Sequence, residues 1–231
     1  MQDTLYTIEH LRDHGPVYTE TDTGRLIVEP WNAATAVIFF AIVIFWLIRL
    51  RGQFNRHLFL TIALPVLAIG GIGGTIYHAL RISQVFLLMD WIPIVVISFM
   101  TSFYFFIRSY RKWWPALVVI AVVFFLQMLN FRFTPHGYAI NISYGLMACV
   151  IIAPAILILV KTRFRFAGYF FLSVGLFLAS IFFRIVDQYG WLPMGTHFLW
   201  HIFGAFACHF MILYVYKMDE LKFPSVKSGA G

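Results

Sequence analysis

The sequence predicts an all-α integral membrane protein: a bundle of seven transmembrane helices, with the N-terminus outside and the C-terminus in the cytoplasm. Three observations predict it. Of 231 residues, 61% are hydrophobic and 12% charged, about half the ~25% charge of a soluble domain. Seven separate stretches approach the ~20 apolar residues that a helix needs to cross ~30 Å of hydrocarbon. The basic residues gather in every second joint, which is how a membrane orients its loops.

The apolar stretches run over residues 31–50, 58–79, 85–107, 113–131, 138–160, 166–186 and 195–216. Short polar joints separate them. Residues 1–28 form an acidic extracytoplasmic segment (Asp3, Glu9, Asp13, Glu20, Asp22) that lacks the apolar core of a cleavable signal peptide. The first helix is therefore expected to direct insertion itself. The membrane domain spans 29–217, and a polar cytoplasmic tail, 218–231, is expected to be disordered.

Orientation follows from the joints. Arg49, Arg51 and Arg56 follow the first stretch; Arg108, Arg111 and Lys112 the third; Lys161, Arg163 and Arg165 the fifth; Lys217, Lys222 and Lys227 the last. These are twelve of the 17 basic residues, and Arg12, Arg25, Arg81, Arg132 and Arg184 fall on the other side. The net charge of +7 thus reads as membrane orientation, and no nucleic-acid partner is expected. Trp31, Trp46, Trp91, Trp113, Trp114 and Trp191 fall near the predicted interfaces, as an aromatic belt would. Cys149 and Cys208 form no Cys-x-x-Cys pair and read as small buried apolar side chains.

Ionisable groups at membrane depth are costly and are functional candidates by default. Glu29 precedes the first helix, His78 closes the second, Asp90 lies early in the third, and His197 and His201 open the seventh. All five fall toward the outer face, a coincidence of depth that the Lys/Arg count did not impose. His197 and His201 are four residues apart, so their imidazoles stack on one helix face. Three histidines with an open fourth position are the pattern of a catalytic zinc site, and imidazole without thiolate favours zinc. Asp90 is placed to orient a ligand or accept a proton from metal-bound water. Glu29 is a candidate for a second cation or for capping the first helix ahead of Pro30. His209 reads as structural, and His10, His14, His57 and His136 as solvated. Arg184 and Asp187, three residues apart, are expected to pair with each other.

At this point the residues resemble the alkaline ceramidases, within the CREST group of seven-helix membrane hydrolases that includes the progestin and adiponectin receptors. Three blocks carry the resemblance: Glu29-x-Trp31-Asn32; Gly71-x-Gly73-x-x-x-Tyr77-His78 followed by Leu88-x-Asp90-x-x-Pro93; and Gly195-Thr196-His197-x-x-x-His201. The resemblance implies zinc on His78, His197 and His201, with Asp90 acting beside the zinc-bound water. It also implies a calcium site that includes Glu29, for which Glu20 and Asp22 are further candidates. The implied reaction is hydrolysis of the amide of ceramide or a related N-acyl lipid drawn from the bilayer, releasing a fatty acid and a sphingoid base.

The chain departs from the family in three places. Gly74 stands where the family has a serine, and Thr75 is a candidate to supply the missing hydroxyl. The stretch between His78 and Asp90 is one residue longer than in the eukaryotic members. The N-terminal calcium motif is not visible. A lipid receptor or sensor with structural zinc is the alternative on the same scaffold. Haem is disfavoured because its axial ligands should come from facing helices. Retinal is disfavoured because no lysine precedes Lys217 in the last helix, and a transporter because polar residues near mid-membrane are lacking.

Overall fold

The computed structural model describes residue 11 and residues 13–221. His10, Arg12, Lys222, Lys227 and the expected tail disorder after residue 221 lie outside the described residues, as does the side chain of His136. The described chain forms α1 (Pro30–Arg49), α2 (Leu58–Leu80), α3 (Gln84–Tyr110), α4 (Trp114–Phe133), α5 (His136–Lys161), α6 (Ala167–Val186) and α7 (His197–Glu220). A single 3-10 turn, Asp187–Tyr189, follows α6, and the described residues contain no strand. Each of the seven helices is long and apolar enough to cross a membrane. Side chains such as Ile48, Phe124 and Phe133 are 70%, 72% and 76% exposed. A surface of that kind suits hydrocarbon rather than water, so the chain reads as a multi-pass membrane protein.

The helices form a ring in which α1, α2, α3, α5, α6 and α7 surround a cavity, while α4 packs mainly on α5 at the outside. α5 and α6 meet along only a short seam. α2 and α3 approach each other closely at Gly73 and Gly74. A side chain at Gly73 would collide with Met89, and one at Gly74 with the Asp90 carboxylate. Small residues let helices approach closely where lipid offers no hydrophobic drive for association. Here the approach also sets the Asp90 carboxylate against α2.

The start of α7 shows why its boundary is two residues later than the apolar run suggests. Gly195 adopts φ 69°, and a side chain there would strike Asp187. The Thr196 and His197 amides donate to Asp187 Oδ1 at 2.6 and 2.9 Å. A carboxylate distant in sequence thus takes the place of a local N-cap, where negative charge is favoured. Asp187 also accepts from the Thr19 amide at 3.0 Å, tying the N-terminal segment to the same corner. No salt bridge joins it to Arg184 among the described residues, contrary to expectation: the carboxylate is already filled by backbone donors.

Other expectations are corrected by packing. Trp46 is 2% exposed and packs on His209 and Tyr216 in the core rather than in an interfacial belt. Its Nε1 donates to His209 Nδ1 at 3.3 Å. Trp31, Trp91, Trp113, Trp114 and Trp191 are exposed. Cys149 is exposed on the bundle surface rather than buried, and Cys208 lines the cavity. His14 is exposed, but His57 is fully buried. His57 Nδ1 lies 3.2 Å from Asp219 Oδ2, and Tyr104 donates to Asp219 Oδ1 at 2.6 Å. The Arg108 guanidinium donates to the carbonyls of Met218 and Leu221. This polar cluster closes α7 against α2 and α3 at the end opposite His78.

Candidate metal site

His78, His197 and His201 are 0%, 2% and 3% exposed. Each offers a ring nitrogen, and the three nitrogens lie within 4.8 Å of one another. Their ring centroids are 4.7 to 5.4 Å apart. Tetrahedral coordination at ~2.0–2.1 Å needs nitrogens about 3.3 Å apart, so modest rotations of the rings would close the set. Among the described residues this is the one group of histidine, cysteine and carboxylate side chains that converges closely enough to hold a metal ion.

Hydrogen bonds behind the rings decide which nitrogens face inward. His78 Nδ1–H donates to Glu29 Oε2 at 2.5 Å, which leaves Nε2 buried without a partner. His201 Nδ1–H donates to the Asn32 carbonyl at 3.0 Å, with Thr35 Oγ1 3.1 Å away, and this leaves its Nε2 as the lone-pair nitrogen. A histidine that ligates a metal commonly donates its other N–H to a carboxylate or carbonyl, and that bond fixes the tautomer. His197 is oriented by Tyr18, which stacks on it with centroids 3.7 Å apart. Its Nδ1 is also buried without a partner. Buried unpaired polar atoms are expensive, and a shared cation would satisfy both the His78 and His197 nitrogens. The residues present therefore fit a metal ion.

Glu29 is the hub of this corner. It does not cap α1 with its side chain; Glu20 does so, accepting from the amides of Trp31 and Asn32 at 2.5 and 3.0 Å. Glu29 instead accepts from His78, from Thr21 at 2.6 Å, from Asn32 Nδ2 at 3.3 Å and from Arg81. Burial opposes its ionisation, but the hydrogen bond from His78 and the charge of Arg81 outweigh burial and hold its carboxyl below the ordinary range. Arg81 also forks onto Asp13, with Nε and Nη2 at 2.7 and 3.0 Å from its two oxygens. Arg81 closes α2 in the left-handed region at φ 53°, and Asp13, Glu29 and Arg81 are 0 to 2% exposed.

No protein-family model matches this chain, and neither does any curated protein. The site is thus read from its own geometry. The three carboxylates named for calcium do not converge. Glu29 has its four acceptor sites occupied, Glu20 caps α1, and Asp22 pairs with Arg25 at 2.9 Å. The cation that bridges Glu29 to the N-terminal segment is Arg81.

Asp90 sits in the second turn of α3 and faces the cavity next to Gly74. Its carboxylate fills the space that a side chain at position 74 would need. The Thr75 hydroxyl donates to the Gly71 carbonyl at 2.7 Å, the back-bond common for threonine inside a helix.

Reading the sequence missed Arg184, Tyr144 and Trp200, which line the same cavity beside Asp90, His197 and His201. Arg184 carried a usable signal, since it is a cation inside an apolar helix. Tyr18, Arg81 and Asp187 act through partners far away in sequence and left no local sign.

Proposed function

We propose that the chain is a zinc-dependent membrane amidase that hydrolyses the amide of ceramide or a related N-acyl lipid. The observation that carries this reading is the set of three buried imidazoles whose ring nitrogens lie within 4.8 Å of one another at the head of a long apolar channel, with a carboxylate in the same cavity. Three imidazoles without thiolate suit zinc, and three protein ligands with an open position suit catalysis rather than structure. Bound there, zinc would supply water activated at a pKa of ~7 and polarisation of the amide carbonyl. Asp90 then accepts the water proton and passes it to the departing amine nitrogen. His78 and His201 keep their Nε2 lone pairs inward because Glu29 and Asn32 hold the opposite N–H groups. The apolar walls receive the acyl chain and exclude bulk water. By the distribution of basic residues, the histidine end of the bundle faces the non-cytoplasmic side and receives lipid from that leaflet.

The test is made on purified full-length protein. Wild type should carry about one zinc per chain and release fatty acid from defined N-acyl lipids. His201→Ala should lose both the metal and the release. Hydrolysis at the wild-type rate by His201→Ala would remove the reading.

A further inference from the structure

Arg184 is the feature that metal chemistry leaves unexplained. It stands on α6 at the level of the histidines and lines the cavity with them. Its guanidinium lies over the rings of Tyr144 and Trp200, 4.9 and 5.6 Å from their centroids. Nη1 reaches the Tyr18 hydroxyl only at 3.5 Å, and Nε is buried without a hydrogen-bond partner. No carboxylate lies within ion-pair distance of it among the described residues: Asp90 shares the cavity but stands farther off, and Asp187 is filled by backbone amides. A guanidinium offers five donors in a flat fork matched to a carboxylate. With its Nε buried and no anion beside it, the half-buried guanidinium incurs a desolvation cost that the two aromatic faces offset only in part.

Below Arg184 the cavity is almost wholly apolar, with walls that include Leu64, Ile151, Phe177, Met211 and Val215. Its lining runs along α7 from His197 to Val215, about 27 Å of helix, close to the full ~30 Å of a bilayer core. The cavity volume is about 230 Å³, which suits one extended chain rather than a bulky ligand. Arg184 and Tyr144 come from α6 and α5, so they stand at the short seam where the ring is least closed.

We infer that Arg184 and this channel form a binding site for a single-chain lipid with a carboxylate head, the guanidinium taking the carboxylate and the channel taking the chain. A long-chain fatty acid has this chemistry, and so does an N-acyl amino acid whose amide would lie between chain and carboxylate. Binding at this site does not require the amidase reading; only the choice between these two sources of the carboxylate rests on it.

The experiment compares palmitate with palmitamide, of the same length but uncharged, for binding to the purified full-length protein in neutral detergent at pH 8. Wild type should prefer palmitate by about 10-fold or more, the size of a charge-assisted hydrogen-bonded contact. Arg184→Gln should abolish that preference. Arg184→Lys, which keeps the charge but not the fork, should lower it several-fold and carries the test alone if the glutamine variant fails to fold. No preference in wild type, or a full preference surviving in the variants, overturns the inference. The second arm measures hydrolysis of N-palmitoylglycine against N-palmitoylethanolamine. A rate ratio that favours the glycine conjugate and falls in the Arg184 variants assigns the carboxylate to the substrate's head group. A ratio indifferent to Arg184, with palmitate selectivity intact, assigns it to the free fatty acid. Palmitate selectivity without hydrolysis of either amide would defeat the amidase reading and leave this site standing.

Discussion

The two ends of the bundle each bury a histidine against a carboxylate, and only one of them is built as a site. At one end His57 meets Asp219, whose other oxygen is taken by Tyr104, and the Tyr216 ring stacks on the imidazole at 4.4 Å. The pair joins α2, α3 and α7, and among the described residues no further histidine, cysteine or carboxylate converges with it into a group that could hold a metal. At the other end His78 meets Glu29 in the same way, but its free nitrogen looks toward two further imidazoles across a cavity. A buried histidine–carboxylate contact is therefore no mark of chemistry in itself. What distinguishes the His78 end is convergence: nitrogens of three imidazoles lie within 4.8 Å of one another.

That comparison can be broken or sharpened by substitution. The largest effect on stability is expected from Arg81→Ala, which strands the buried carboxylates of Asp13 and Glu29. Losing one partner of a buried ion pair costs about 3–5 kcal/mol, so thermal unfolding should drop by many degrees, and a surface-like loss below ~1 kcal/mol would mean the cluster is not buried as described. Glu29→Gln keeps the shape and removes the charge behind His78. It should weaken zinc affinity about 10–100-fold, the usual cost of losing such a support, measured by competition with a chelator. His57→Ala is the matched change at the opposite end. It should reduce stability by about 1–3 kcal/mol through the orphaned acceptor while leaving zinc affinity at the wild-type value. Equal loss of zinc affinity in both variants would erase the distinction between the ends. Thr75→Val should be smallest, with turnover and metal content near wild type, because its hydroxyl only back-bonds within α2.

The pH dependence of Glu29 follows from its lowered pKa. Its contribution to stability is fully present above the ordinary carboxylate range and is lost as the pH falls through its depressed folded value.

Much of the site was legible because membrane burial makes an ionisable residue conspicuous. His78, Asp90, His197 and His201 stood out as polar groups at shared depth in apolar runs, and the structure brings Asp90, His197 and His201 to one cavity, with His78 against the other two histidines. Arg184 was read only as a partner for Asp187, since an i, i+3 neighbour is the nearest guess available without coordinates. For Thr75 the sequence shows only that a hydroxyl is nearby, and the structure adds its partner, the Gly71 carbonyl. Glu20, named only for calcium, caps α1, while Glu29, a candidate cap, turns to His78.

The sequence by itself determined seven apolar helices, their boundaries to within a few residues, and which polar side chains share the histidine end. It could do so because a helix in hydrocarbon must satisfy its own backbone and leaves a long, unbroken apolar signature. The tertiary structure alone decided the partners: Arg81 between Asp13 and Glu29, Asp187 at the start of α7, Asp90 in the space left by Gly74, and Arg184 at the head of the channel. Those contacts join residues far apart in the chain, and their geometry depends on how closely helices pack, which no local pattern encodes.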